Sequence, residues 1–189
     1  MNYLVVDFEF TFYKRPVGRP RNFFAEIIEI GAVKLDGETM AEAGKLQNFV
    51  KPHFFPKHAK DAMDFCMITD KDMKKAITFS VMLKKLSAMY EAEQTFFVAW
   101  GDADYKVLNE GCSRHKLENP IIEEDYLDLA EAYKLWKDEE NTPSLKTAIM
   151  EMECVADGLA HTAFDDAYNT GKVLAKMLEK GWTYEAYLR

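Results

Sequence analysis

The chain has 189 residues, of which 48% are hydrophobic and 30% charged, and its formal net charge is −8 at pH 7. This composition suits one packed domain and is not typical of a disordered or low-complexity chain. The net charge argues against a broad electrostatic surface for nucleic acid, although acids that bind a metal are counted as negative here. We therefore expect a single domain over residues 1–189.

The start of the chain and its cysteines predict a cytoplasmic protein. The segment MNYLVVDFEF has no basic region and reaches Asp7 too early for a signal peptide. No apolar run is long enough to span a bilayer, so no membrane association is expected. Cys66, Cys112 and Cys154 are odd in number and far apart, as in a reducing compartment.

The stretch YLVVDFEFT, residues 3–11, is an apolar run that carries two acids one residue apart. Its β-branched and aromatic content predicts a central strand covered on both faces. Side chains alternate along a strand, so Asp7 and Glu9 point to the same side. Two buried like charges repel and lose hydration, whereas a bound divalent cation removes both penalties. The alternative is a strand that ends near Val6 and leaves both acids in solvent.

A basic and aromatic loop follows this strand over residues 12–24. Lys14, Arg15, Arg19 and Arg21 lie there between two aromatic pairs, together with two prolines and a glycine. Cations suit phosphates and rings suit bases, which favours a loop over a nucleic-acid site. A loop that is only solvated is the alternative.

The rest of the chain predicts strands first and then strands that alternate with helices. Further strands are expected over residues 25–35, 46–50 and 95–100. Helices are expected over residues 78–92, from near 103, and over 126–136, 144–153 and 163–180. This order predicts an α/β fold with an antiparallel N-terminal meander in a mixed sheet.

Two acids, Asp102 and Asp104, lie in the turn between the buried strand and the next helix. Ligand sites of α/β proteins collect at such turns. Asp102 occupies the expected N-cap position, which explains it better than a ligand site does. Asp104 precedes Val107 and Leu108 by three and four residues and therefore shares their inward face. A carboxylate on that face needs a partner.

The segment HTAFDDAYNT, residues 161–170, repeats this pattern at the start of the last helix. Helical spacing places Asp166 on the apolar face and places Asp165 with Asn169 on a solvated stripe. His161 lies at the mouth of the helix, as either a site residue or a surface residue. Four inward acids and a histidine suit a pair of hard divalent ions and a general base, the recurrent device for phosphodiester hydrolysis.

Together these segments resemble the DEDDh 3′–5′ exonucleases of the DnaQ-like, ribonuclease H-like fold. The family's three acidic motifs are similar, in the same order, to VVDFEFT, AWGDADYKVL and HTAFDDAYNT. The resemblance extends over nearly the whole chain through EIIEIGAVKLDG, FVKP, FCMIT, YLDL and MLEKG. It is greatest with the branch that contains the 3′ histone-mRNA and RNAi-related exonucleases and the bacterial KapD-like proteins.

The resemblance implies a mixed five-stranded sheet flanked by helices. It also implies an enzyme that releases nucleoside 5′-monophosphates from single-stranded 3′ ends of RNA or DNA, with two Mg²⁺ or Mn²⁺ ions per active site. The implied metal ligands are Asp7, Glu9, Asp104 and Asp166. The resemblance makes His161 the general base, which completes the catalytic set.

Substrate contacts follow from the resemblance with one departure. Thr11 matches a position that touches the terminal nucleotide in relatives. Relatives often have an aromatic residue directly before the second acid, where this chain has Ala103. Phe10, Trp100 or the basic loop would then have to stack on a base. The expected substrate-binding residues are Phe10, Thr11, Trp100, Arg19 and Arg21.

The alternative function is a binding or regulatory module that keeps the fold without catalysis. KapD-like relatives are linked by name to inhibition of a sporulation kinase pathway, so the competing expectation is a protein partner. All five catalytic positions are intact in this chain, which favours the enzyme. RNA and DNA both stay open as substrates.

Overall fold

In the computed structural model, which describes residues 1–14, 18–159 and 161–187, five strands form one mixed sheet. The strands are β1 (Asn2–Phe10), β2 (Ile27–Leu35), β3 (Glu42–Phe49), β4 (Thr95–Ala99) and β5 (Tyr126–Asp128). Their order across the sheet is β3-β2-β1-β4-β5. The pairs β1–β2 and β2–β3 are antiparallel, and β1–β4 and β4–β5 are parallel, which confirms the predicted meander and mixed sheet.

Helices surround this sheet. Those within the described ranges are α1 (Lys60–Phe65), α2 (Asp70–Met73), α3 (Phe79–Ser87), α4 (Ala103–His115), α5 (Leu129–Lys137), α6 (Leu145–Glu151), α7 (Ala163–Glu179) and α8 (Tyr184–Tyr187). Short 3₁₀ helices cover Pro56–His58 and Glu123–Asp125. No helix among the described residues is both long enough and apolar enough to cross a membrane. Arg15 of the predicted basic loop lies outside the described residues.

Of the five predicted helices, four begin within one residue of the expected start, namely α3, α4, α6 and α7. Thr78 and Ser144 accept backbone hydrogen bonds at the starts of α3 and α6, as expected of N-caps. The predicted helix over residues 126–136 is wrong in its first part, because that part pairs with β4 as strand β5. Asp128 then caps α5 by accepting a hydrogen bond of 3.0 Å from the backbone N–H of Glu131.

The two faces of β1 are covered by different helices. Leu4 and Val6 pack in a core with residues of α3 and α4, whereas Val5 packs in a second core with residues of α7. Side chains alternate along the strand, so Asp7 and Glu9 follow Val5 on the α7 side. Both acids therefore lie at the carboxyl end of β1, below the start of α7.

A close approach between β2 and α7 brings that helix over the acids. Gly31 pairs with Asp7 in the antiparallel register. A Cβ atom at Gly31 would lie 2.2 Å from the backbone carbonyl of Ala163, the first residue of α7. Glycine is required because any side chain would push the helix away from the sheet.

Candidate active site

The predicted acids and histidine line one cavity of about 330 Å³ at the carboxyl end of β1. We call it the acid cavity. The starts of α4 and α7 and the end of α1 form its other walls. The structure brings together all five residues of the expected catalytic set: Asp7, Glu9, Asp104, His161 and Asp166.

The strand acids carry raised pKa values. Burial raises the pKa of Asp7 well above its ordinary value, and the negative charges of Asp104 and Asp166 raise it further. Burial also raises the pKa of Glu9, opposed by a hydrogen bond of 2.9 Å that the Cys66 thiol donates to its carboxylate. Negative charge is therefore crowded in a poorly hydrated place, where a cation would stabilise it.

Asp104 reaches the acid cavity from the first turn of α4. Its side chain is 5% exposed and accepts a hydrogen bond of 2.7 Å from the backbone N–H of Phe8. Burial raises its pKa. These contacts confirm the inward orientation that helical spacing predicts.

Asp102 differs from its prediction. It occupies the N-cap position of α4, but its side chain makes no capping hydrogen bond and instead pairs with Lys106 on the surface. The reason is its backbone conformation, φ −89° and ψ −7°, because a capping side chain requires an extended backbone at that residue.

The third motif combines an acid and a histidine. A carboxylate oxygen of Asp166 accepts a hydrogen bond of 2.9 Å from the backbone N–H of His161. His161 has a left-handed backbone, with φ 67°, which forms the turn into α7. Glu9, His161 and Asp166 each offer a ligand atom within 4.8 Å of the others. This trio could hold one metal ion.

Asp165 does not lie on a solvated stripe, which corrects the prediction. Its carboxylate accepts a hydrogen bond of 2.9 Å from the backbone N–H of Leu159. Asn169, expected on the same stripe, is 4% exposed and bonds to the backbone of Asp157 through both its oxygen and its nitrogen. The chain before α7 folds back over this face, a tertiary contact that helical spacing does not reveal.

Glu29, which was not predicted as a site residue, is a buried acid beside the acid cavity. It pairs with Glu9 across β1 and β2 and is 2% exposed. One carboxylate oxygen accepts a hydrogen bond of 3.4 Å from the backbone N–H of Ala163, while the other has no partner among the described residues. Burial raises its pKa to about 7. Its position inside the apolar run IIEIGAV was the available signal.

Phe65 is a second missed residue of the acid cavity. Its ring is 50% exposed and lies 4.5 Å from the His161 ring and 6.0 Å from the Phe12 ring, measured between centroids. Its segment, FCMIT, carries part of the family resemblance, but nothing in the local pattern indicates a role for the aromatic residue.

The expected substrate-binding residues take different positions. Phe10 lines the acid cavity. Thr11 is fully buried, and its hydroxyl accepts a hydrogen bond of 2.9 Å from the backbone N–H of Glu26. The Trp100 indole donates to the carbonyl of Pro143 at 3.1 Å and packs in the core beside α7. The structure therefore places neither Thr11 nor Trp100 in the cavity lining, because both side chains are occupied by internal contacts.

Arg19 and Arg21, the arginines of the basic loop that the structure describes, are exposed. The Arg19 guanidinium lies over the Phe23 ring, 5.2 Å from its centroid. Neither Arg19 nor Arg21 belongs to the lining of the acid cavity. A contact of these arginines with substrate would have to occur outside that cavity.

Known proteins share both the sequence pattern and the fold. The family model RNase_T, described as Exonuclease, matches residues 4–174. The probable 3′–5′ exonuclease KapD of Bacillus subtilis (strain 168) is 33% identical over 183 residues, covering 96% of this chain and 86% of KapD. Human 3′–5′ exoribonuclease 1 is 25% identical over 187 residues and covers 94% of this chain. This chain spans 52% of the human protein.

Solved structures give the same fold. The nuclease domain of 3′hExo, a DEDDh family member bound to rAMP, has a TM-score of 0.80 at 24% identity, covering 95% of this chain and 92% of that one. E. coli exonuclease I in complex with a dT13 oligonucleotide has a TM-score of 0.69 at 18% identity, and the match covers 94% of this chain and 41% of the exonuclease I chain. This likeness confirms the predicted ribonuclease H-like fold.

Proposed function

Because this chain belongs to the exonuclease family, we propose that it hydrolyses phosphodiester bonds at the 3′ end of a nucleic acid with the help of two divalent cations. The observation that carries this proposal is the convergence of four acids and a histidine, from three distant segments, on one cavity. In the proposed assignment the metal ligands are Asp7, Glu9, Asp104 and Asp166. His161 is the proposed general base.

The donor set fits Mg²⁺ or Mn²⁺. Carboxylate oxygens are hard ligands of the kind that these ions prefer. Burial and mutual repulsion raise the pKa values of Asp7 and Asp104, so positive charge in the cavity would offset a real electrostatic cost. A pair of such ions, when bound, supplies the charge that stabilises the attacking and leaving oxygens.

The protein's own side chains would orient the water and remove its proton. An imidazole can accept a proton at neutral pH, and His161 lies at the open mouth of the acid cavity, within reach of solvent. The Phe65 ring against His161 restricts the orientation of the imidazole. The hydrogen bond from the His161 backbone to Asp166 holds the turn that presents this ring.

The substrate is proposed to be a single strand with a free 3′ end. A cavity of about 330 Å³ is at the small end of the range for ligand sites, which suits one terminal nucleotide and not a duplex. Phe10 is the proposed contact for that nucleotide. The human relative is an exoribonuclease by name, and exonuclease I was crystallised with a DNA oligonucleotide, so both polymers are candidates. The proposed product is a nucleoside 5′-monophosphate, the class of the rAMP bound to 3′hExo.

The test is a ladder assay on 5′-labelled single strands of RNA and DNA with Mn²⁺ or Mg²⁺. We expect stepwise shortening from the 3′ end and no products after addition of EDTA. The Asp104→Asn variant is the control for a contaminating nuclease. A parent protein that shortens neither polymer would contradict the proposal and favour the non-catalytic binding module.

A further inference from the structure

A second cavity, of about 280 Å³, opens beside the acid cavity and has a basic lining. Its lining includes Phe12, Tyr13, Lys14, Lys57, His58 and Lys60, with Asp61 as the one acid. We call it the basic cavity. Phe12 lines both cavities, so the two are adjacent and share a wall.

The basic cavity carries positive charge on a chain whose net charge is −8. Lys60 pairs with Asp64, but no carboxylate within the described ranges forms an ion pair with Lys14 or Lys57. The Lys14 ammonium lies 5.7 Å from the centroid of the Phe12 ring. Two lysines are therefore available to an anion at the border of a strongly acidic cavity.

Aromatic rings connect this basic cavity to the catalytic histidine. Phe12 contacts Phe65 at 6.0 Å, and Phe65 contacts His161 at 4.5 Å. On the other side, the Tyr13 ring lies 5.5 Å from the His58 ring. Phe65 is 50% exposed, and Phe12 and Tyr13 are partly exposed. Aromatic rings beside cations are the usual surface for unpaired bases.

The walls of the basic cavity are held in place from below. The buried carboxylate of Glu26 accepts hydrogen bonds from three consecutive backbone N–H groups, at 2.5 to 2.9 Å, over residues 53–55. This segment leads directly to Lys57 and His58. Thr11 and Glu26 are joined by two further hydrogen bonds, which fix the chain just before Phe12. Buried contacts thus hold the backbone that leads to Lys14 and to Lys57.

We propose that the basic cavity binds the phosphodiester backbone of a single-stranded nucleic acid upstream of its 3′ end, with Lys14 and Lys57 on phosphates and Tyr13 against a base. The inference rests on the proposed function. The basic cavity can bind the part of a nucleic-acid strand upstream of its 3′ end only if that 3′ end lies in the acid cavity. Cations beside rings fit a strand whose bases are unpaired, since a duplex hides the base faces.

The test compares a substrate that consists of one nucleotide with substrates long enough to reach both cavities. The Lys14→Ala/Lys57→Ala variant is compared with the parent and with Lys137→Ala/Lys180→Ala, which removes the same charge from residues that line neither cavity. One substrate is the p-nitrophenyl ester of thymidine 5′-monophosphate, which reaches the acid cavity alone. The others are RNA and DNA single strands of about twelve nucleotides. Binding of the same strands is measured in EDTA over a series of salt concentrations.

We expect kcat/KM of Lys14→Ala/Lys57→Ala to fall about tenfold on both strands and to stay unchanged on the ester. The slope of log affinity against log salt should decrease by about 1.4, because each phosphate contact on a single strand contributes about 0.7. A variant that matches Lys137→Ala/Lys180→Ala in both measurements overturns this inference while the parent's activity upholds the proposed function. A fall on one polymer alone overturns the assignment to the backbone. A parent inactive on every substrate overturns the proposed function, and this inference with it.

Discussion

The backbone N–H of Phe8 donates a hydrogen bond of 2.7 Å to the carboxylate of Asp104, which is 96 residues away in sequence. This bond joins the carboxyl end of β1 to the first turn of α4. It explains how an acid on a helix comes to lie beside Asp7 on a strand. The bond holds Asp104 in the lining of the acid cavity, where Asp7 also lies.

Replacing Asp104 by Asn should separate catalysis from folding. Asn keeps an acceptor for the Phe8 N–H, so the melting temperature should change little, while the lost charge should reduce turnover by several orders of magnitude. The matched control is Asp102→Asn, which removes only a surface pair with Lys106 and should cost about 0.5 kcal/mol or less. Turnover on a labelled oligonucleotide and thermal unfolding check both. Equal losses of turnover in the two variants would contradict the assignment of Asp104.

Replacing His161 should reduce the rate without removing the metal. We expect a fall on the order of 10²–10⁴-fold, the usual share of a general base. His161→Asn is the better substitution, because Asn tolerates the left-handed backbone at this position. Calorimetric titration with Mn²⁺ is the second measurement, and a parallel loss of metal affinity would show that His161 is a ligand.

Glu29 should make the metal-free protein less stable as the pH rises. Its pKa is raised to about 7 from 4.5, so the folded protein binds more protons than the unfolded chain between these values and loses stability across that window. Glu29→Gln removes the charge. In EDTA at about pH 8 the free energy of unfolding of this variant should exceed that of the parent by on the order of 3 kcal/mol at most. At about pH 5 the difference in free energy of unfolding should be much smaller. Urea unfolding at both pH values measures it, and an equal difference at both would show that Glu29 does not titrate in this range.

Mn²⁺ should stabilise the protein more at high pH than at low pH. The pKa is raised by burial in each of the four proposed ligands: Asp7, Glu9, Asp104 and Asp166. Protons therefore compete with the metal below those raised values, and binding releases them. Melting temperatures with Mn²⁺ and with EDTA, at about pH 6 and pH 8, give the comparison. The same metal-induced shift at both pH values would argue against carboxylates with raised pKa values as the ligands.

Phe65→Ala should reduce activity with little effect on stability. The ring is 50% exposed, so its removal costs little burial, but it leaves the His161 ring without its aromatic neighbour. We expect kcat on the p-nitrophenyl ester to fall about tenfold, as misorientation of a catalytic group costs at least that. Phe54→Ala, at a ring that is 40% exposed and outside the acid cavity, is the matched control. Equal kcat values for the two variants would show that Phe65 does not orient the histidine.

Local periodicity was sufficient to predict where the acids point. Alternation along a strand places Asp7 and Glu9 on one side, and helical spacing turns Asp104 inward and selects Asp166 for the acid cavity. These predictions succeed because they depend only on the repeat of the backbone and on which face is apolar. The antiparallel meander follows from the same kind of local signal.

Contacts between distant segments decided the rest. The backbone before α7 bonds to Asp165 and Asn169, so helical spacing misjudged both of these residues. The hydrogen bond from the Trp100 indole to Pro143 likewise joins segments that are distant in sequence. The short strand β5 exists only because β4 offers it a partner, and its residues alone predict a helix. The pKa of Glu29 is raised because the packing of β2 against its neighbours buries the carboxyl group, and the hydrogen bond from Ala163 of α7 opposes this shift. The sequence by itself determined which way each acid points from its own strand or helix. The acid cavity and the basic cavity arise only from packing between distant segments. Burial and the proximity of charges depend on distances between segments, and a repeat along one segment contains no information about those distances.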